Sequence, residues 1–206
     1  MQIRRISCLF LLFAVFGSGM ISPVRAQFST SYKFLESVRK QEGQEVTDAV
    51  SQPGSTIINT RDSSTGDTAL HIVVARRDAA WLGFLLAKGA DPNIGNNHGV
   101  TPLMLAANLG FVEAVTLLVD RGARLNDSDA TGETPLVTAV HRHDLPIMRA
   151  LLKAGADPDR ADNSGRSARD YAAFDGKESP LVAEIKADTR TGGSGASGAH
   201  SYGPKL

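Results

Sequence analysis

The chain has 206 residues, and its 22 Lys and Arg balance 22 Asp and Glu. That length suits one domain with a sizeable core, and the balance argues against a nucleic-acid binder, which needs a dense basic patch. Cys8 is the single cysteine, which excludes an internal disulfide framework and a zinc–thiolate cluster.

Residues 1–26 have the form of a cleaved secretory signal peptide. Arg4 and Arg5 give a basic start, Ile6 to Ile21 an apolar run, and Val24-Arg25-Ala26 a cleavage site before Gln27. The run is short for a spanning helix, which needs about 20 apolar residues. Cleavage removes three Arg, Cys8 and no acid, which leaves 19 basic against 22 acidic residues and no thiol. No membrane attachment is expected after that cut.

Residues 27–58 read as an irregular N-terminal capping repeat. Its helix pair is expected over Tyr32 to Glu42 and Glu45 to Ser51, with Ile57 and Ile58 leading onward. From there to 188 the chain repeats itself. Gly66, Gly99, Gly132 and Gly165 stand 33 residues apart, and Thr68, Thr101, Thr134 and Ser167 follow two positions later. The interval Asn59 to Asn93 is one residue longer, so the start of the array is irregular. A hydroxyl at each of these places can cap a helix start, and Pro102 and Pro135 then occupy the first helical position. Gly89, Gly122 and Gly155 fall where a second helix ends in the left-handed conformation. Asp129 and Asp162 fit the turn ahead of each repeat glycine, where Asp bonds its own backbone.

In the second copy, Val112, Val115, Leu118 and Val119 are expected on one helix face. Trp81 is expected in the core of the first copy, with Gly83 making room for its indole. The fourth copy is worn and reads as a polar cap. Its second helix is expected over about Glu178 to Lys186, with Leu181, Val182 and Ile185 inward. Residues 189–206 are Gly/Ser-rich and are expected to be a disordered tail.

The run Thr101-Pro102-Leu103-Met104-Leu105-Ala106-Ala107, with Thr68-Ala69-Leu70-His71 and Thr134-Pro135-Leu136-Val137 at the same interval, resembles the ankyrin repeat. The resemblance covers about 59–188. It implies an all-α repeat solenoid of stacked helix-turn-helix units with short β-hairpin-like turn tips. It also implies that His71 ties neighbouring loops together. With the signal, the chain is similar to periplasmic ankyrin proteins of Gram-negative bacteria. Those resemblances imply a periplasmic or secreted, non-catalytic protein-binding module, monomeric on its own. Relatives of that kind suggest two alternatives, an immunity protein against a toxic secreted enzyme and an accessory of catalase-linked stress defence.

Ankyrin arrays bind through turn tips and first-helix ends on a concave face. By position, that implies Asp67, Arg76, His98, Val100, Asn108, Leu109, Glu133, His141, Arg142, Arg166 and Phe174 as candidate partner-binding residues. The apolar Val100, Leu109 and Phe174 among polar neighbours have the composition of a contact surface. No catalytic, cofactor or metal site is expected. His141 and His143 are two apart and share no helix face, and no nucleophile, phosphate-loop or metalloprotease motif occurs. Asn126-Asp127-Ser128 fits a glycosylation acceptor by chance.

Overall fold

The computed structural model describes residues 29–191 apart from Pro53. The expected signal segment and nearly all of the expected tail lie outside the described residues.

Five helix pairs follow one another: α1 (Thr30–Lys40) and α2 (Gly43–Ser51), α3 (Ala69–Ala75) and α4 (Ala79–Ala87), α5 (Pro102–Asn108) and α6 (Val112–Asp120), α7 (Pro135–His141) and α8 (Leu145–Lys153), α9 (Ala168–Phe174) and α10 (Pro180–Thr191). The first helices stack in one layer, α1 on α3 on α5 on α7 on α9, and α4, α6, α8 and α10 stack in a second. A 3-10 turn at Ile57–Asn59 joins the first pair to the array. The helix pair expected at the N-terminus is therefore present and carries the inner layer on by one helix. α10 runs to Thr191, into the segment from 189 onward that the sequence assigns to the tail.

The repeated residues build the frame as chemistry requires. Thr101, Thr134 and Ser167 accept the N–H three residues on and cap α5, α7 and α9. Asp78 and Asp144 do the same for α4 and α8. Asp62, Asn96, Asp129 and Asp162 each accept the N–H two residues on through one side-chain oxygen, which folds the turn tip. The tips are then laced together. The Asn97 N–H donates to Thr65 O, that of Ala130 to His98 O, and that of Asn163 to Thr131 O. Gly132 has a φ of 85°, and a Cβ there would sit 2.5 Å from Asn163 N. Gly165 has the same conformation but meets open space, since no copy follows it.

Below the tips a second lacing recurs. Asn59 Oδ1 accepts from Asp91 N, Asn93 Oδ1 from Arg124 N, and Asn126 Oδ1 from Asp157 N. Asn126, the acceptor of the glycosylation triplet, is thus a structural residue. The core is one continuous cluster from Phe34 to Ile185. Burying it only between neighbours makes stability a sum of unit and interface terms.

Three expectations about packing are corrected. On α6 the buried face is Ala114, Val115 and Leu118, whereas Val112 is 38% exposed. Val112 opens the helix beside Phe111, and the buried Phe111 takes the inward place. Trp81 is half-buried rather than enclosed, with Phe84 edge-on at 5.8 Å. Gly83 makes no room for it, because a Cβ there would touch nothing within 4 Å. In the last pair Leu181 and Ile185 are buried and Val182 half-buried, and Glu178 lies in the loop ahead of α10.

Candidate docking surface

Each copy sets three positions on its tip and first helix, at 33-residue spacing. One row is Asp67, Val100, Glu133 and Arg166 at the tips. The next is Ile72, Leu105, Thr138 and Tyr171 in mid-helix. The third is Ala75, Asn108, His141 and Phe174 at the first-helix ends.

In the first two copies most of these neighbourhoods are tied up internally. Asp67 Oδ1 accepts from Asn96 Nδ2 at 3.0 Å. Val100 gives its carbonyl to His71 Nε2 at 2.8 Å. His71 is 2% exposed, and its Nδ1 faces the Thr68 N–H at 3.1 Å. Those two bonds fix the neutral ring with its proton on Nε2, and burial pushes its pKa below the ordinary value. The expected tie between loops is present. Arg76 donates to Val38 O at 2.8 Å, lies 3.1 Å from Asp78 and covers the Trp81 ring at 5.5 Å. It staples α1 to the array. Leu109 packs half-buried on the core, and Arg77 donates to its carbonyl. His98 and Asn108 remain exposed.

The last two copies differ. Glu133 Oε1 lies 3.5 Å from His141 Nδ1. The His141 ring meets Tyr171 edge-on at 4.3 Å, and Tyr171 meets Phe174 at 6.1 Å. Arg166 covers the Phe174 ring at 5.6 Å. Phe174 itself is 68% exposed. Four candidates, Glu133, His141, Arg166 and Phe174, therefore form one continuous patch. Arg142 is exposed just past His141, at the end of α7. Tyr171 joins the patch without having been singled out in the sequence. Its signal was available, as the aromatic in the row that holds Ile72, Leu105 and Thr138.

Tyr171 is also held from behind. Its hydroxyl donates to Asp162 Oδ2 at 2.6 Å, and that bond, with those from Ser164, holds the Asp162 carboxyl far below the usual range. The aromatic edge is thus fixed to the tip of its own copy, so the patch is preorganised.

A further recurring position sets the loop between the two helices of each copy. Arg77, Gly110, His143 and Gly176 all have positive φ, from 55° to 101°. The two non-glycine residues reach the next copy. Arg77 donates to the carbonyls of Leu109 and Gly110 and stacks on Phe111 at 5.2 Å. His143 Nε2 lies 2.6 Å from Asp175 Oδ2. Left-handed strain at these residues is offset by a cross-repeat contact that glycine could not make.

Among the described residues no group of three His, Cys, Asp or Glu side chains could hold a metal ion, and no helix is long and apolar enough to cross a membrane.

Two models of ankyrin repeats match the chain, one over residues 45–129 and the other over 118–172. The mouse B-cell lymphoma 3 protein homolog is 33% identical over 68% of the chain and 32% of its own length. A homolog of transient receptor potential cation channel subfamily A member 1 from Caenorhabditis elegans is 35% identical over 52% of the chain and 9% of its own length. The zebrafish (Danio rerio) neurogenic locus notch homolog protein 1 is 36% identical over 58% of the chain and 5% of its own length. The chain therefore spans about a third of the length of the first relative and under a tenth of the other two.

Proposed function

The chain belongs to the ankyrin-repeat family, and from that premise we propose that it is a non-catalytic module that docks a folded protein partner on the inner face of its last two copies. The observation that carries this reading is Phe174. It is the most exposed large apolar side chain among the described residues, and it sits beside Tyr171, His141 and Arg166. An apolar centre with arginine and polar groups around it is what interface hot spots are made of. Fold alone assigns no partner.

The proposal includes export to a periplasm or the exterior. Its support is the form of residues 1–26 and the absence of any thiol after Cys8, which suits an oxidising compartment. Sequencing the N-terminus of the protein from fractionated cells tests this. A chain beginning at Gln27 outside the cytoplasm agrees, and an intact N-terminus in the cytoplasm does not.

Affinity capture from the producing cells, with mass spectrometry of what is retained, tests the docking. The Phe174→Ala and Arg142→Ala variants should each lose the retained protein while folding normally. Retention by both variants removes this face from the account.

A further inference from the structure

His71 is a buried base at a place where no other copy has one. Met104, Val137 and Asp170 stand there in the copies that follow. Met104 and Val137 do not titrate, and Asp170 is exposed. The His71 Nδ1 accepts the Thr68 N–H, and its Nε2–H donates to Val100 O in the next copy. Both ring nitrogens are committed, so a second proton on the ring would face the Thr68 donor with another donor. Nothing around the ring makes up for that loss. Of the nearby charges, Asp67 favours a proton on it and Arg61 opposes one. Neither α5 nor α4 carries a titratable side chain. On α1, Glu36, Arg39 and Lys40 pair among themselves and with Asp62, and Lys33 is exposed. The other described histidines, His98, His141 and His143, are exposed and can take a proton in place.

We propose that protonation of His71 opens the array from its N-terminal end: in mild acid α1–α4 part from α5 and α6 as one unit, while the later copies stay folded. The geometry sets both the trigger and the place. The ring bridges the first copy to the second, where α3 packs on α5 and α4 on α6. In a stack, opening an end unit breaks one interface, and opening an inner unit breaks two. The contacts released with the His71 bond are those of Asn97 with Ser64, Asn96 with Asp67, and Arg77 with Leu109 and Gly110. An open ring takes the proton that the closed ring refuses. The opening equilibrium therefore rises by up to about tenfold per pH unit below the ordinary histidine value of about 6.5.

Hydrogen exchange of the full chain at pH 7 and pH 5 tests this, read by mass spectrometry and expressed as protection relative to an unstructured chain at the same pH. Protection in α3 and α4 should fall by about tenfold or more, and that in α5 to α8 by less than about twofold. His71→Met, which places the residue of position 104 there, should abolish the fall. A fall of equal size in every copy overturns the local opening. A fall that survives in His71→Met, or no fall in the unaltered chain, overturns His71 as its trigger. Should His71→Met not fold, the ring resonances of the unaltered chain decide. His71 should stay neutral in the folded chain at pH 5, and a ring that takes its proton near pH 6.5 with the array closed overturns the proposal.

Discussion

The first two copies and the last two share one frame and use the same places oppositely. At the end of the first helix, Ala75 and Asn108 are followed by His141 and Phe174. At the next position, Arg76 is bonded back to Val38, while Arg142 is exposed. At the tips, Asp67 is bonded to Asn96, while Arg166 covers an exposed ring. In the N-terminal half Arg76 and Asp67 hold neighbouring copies together, while Ala75 and Asn108 are small or polar and exposed; in the C-terminal half the same rows gather His141, Arg166 and the exposed Phe174 around Tyr171. A repeat thus supplies a fixed set of places, and whether each serves cohesion or recognition depends on what the neighbouring copy offers it.

Substitutions that touch the shared frame should cost most and distinguish the copies by what stacks above them. Gly132→Ala should lower stability by roughly 2–4 kcal/mol, from left-handed strain plus a clash with Asn163. Gly165→Ala should cost only the strain, roughly 1–2 kcal/mol. Denaturant titration of the pair checks this, and equal costs would mean that the tip ladder is unimportant.

The next test crosses the two halves. Phe174→Ala should weaken partner binding by about 2 kcal/mol, roughly 30-fold, with stability changed by less than about 0.5 kcal/mol. Arg76→Ala should do the reverse, with stability down by about 1–2 kcal/mol and binding unchanged. Calorimetric titration beside thermal melts reads both. Binding lost on Arg76→Ala at full stability would break the comparison.

Acid should act in two windows. Burial lowers the His71 pKa, so below its ordinary value of about 6.5 the unfolded chain takes up a proton that the folded ring refuses. Stability should therefore decline as pH falls from there towards the folded pKa. Asp62, held low chiefly by Ser64, and Asp162, held low chiefly by Tyr171, stabilise the fold above about pH 4. That contribution is lost as pH falls further. His71→Gln should remove the first decline and Tyr171→Phe should shrink the second, as measured by melts at stepped pH. The smallest effect is expected on the outer layer. Arg149→Ala breaks the exposed pair with Glu184 and should cost under about 1 kcal/mol.

What the sequence made legible is what recurs. The repeat glycines, hydroxyl caps and turn aspartates each serve a local backbone need, so their chemistry shows in one residue type at one spacing. The loop position at 77, 110, 143 and 176 has the same period but was hidden, because Arg77 and His143 occupy two of its four places. The bonds of Arg76 to Val38 and of Asp67 to Asn96 are not legible in the sequence, because those partners lie in other copies at distances no local pattern encodes. Val112 has helical spacing with Val115 and Val119, yet the rotation of α6 is set by Phe111, just ahead of it. Tyr171 was overlooked because it stands in a row of ordinary inner-face residues and becomes conspicuous only beside His141 and Phe174.

The most direct measurement places a photo-crosslinking phenylalanine analogue at one of three positions: 174, its row-mate 75, or 112 on the second helix of another copy. Each chain is then irradiated in the cells that make it. The account predicts a discrete protein adduct from position 174 and none of comparable yield from 75 or 112. An adduct confined to 75 or 112 would contradict it.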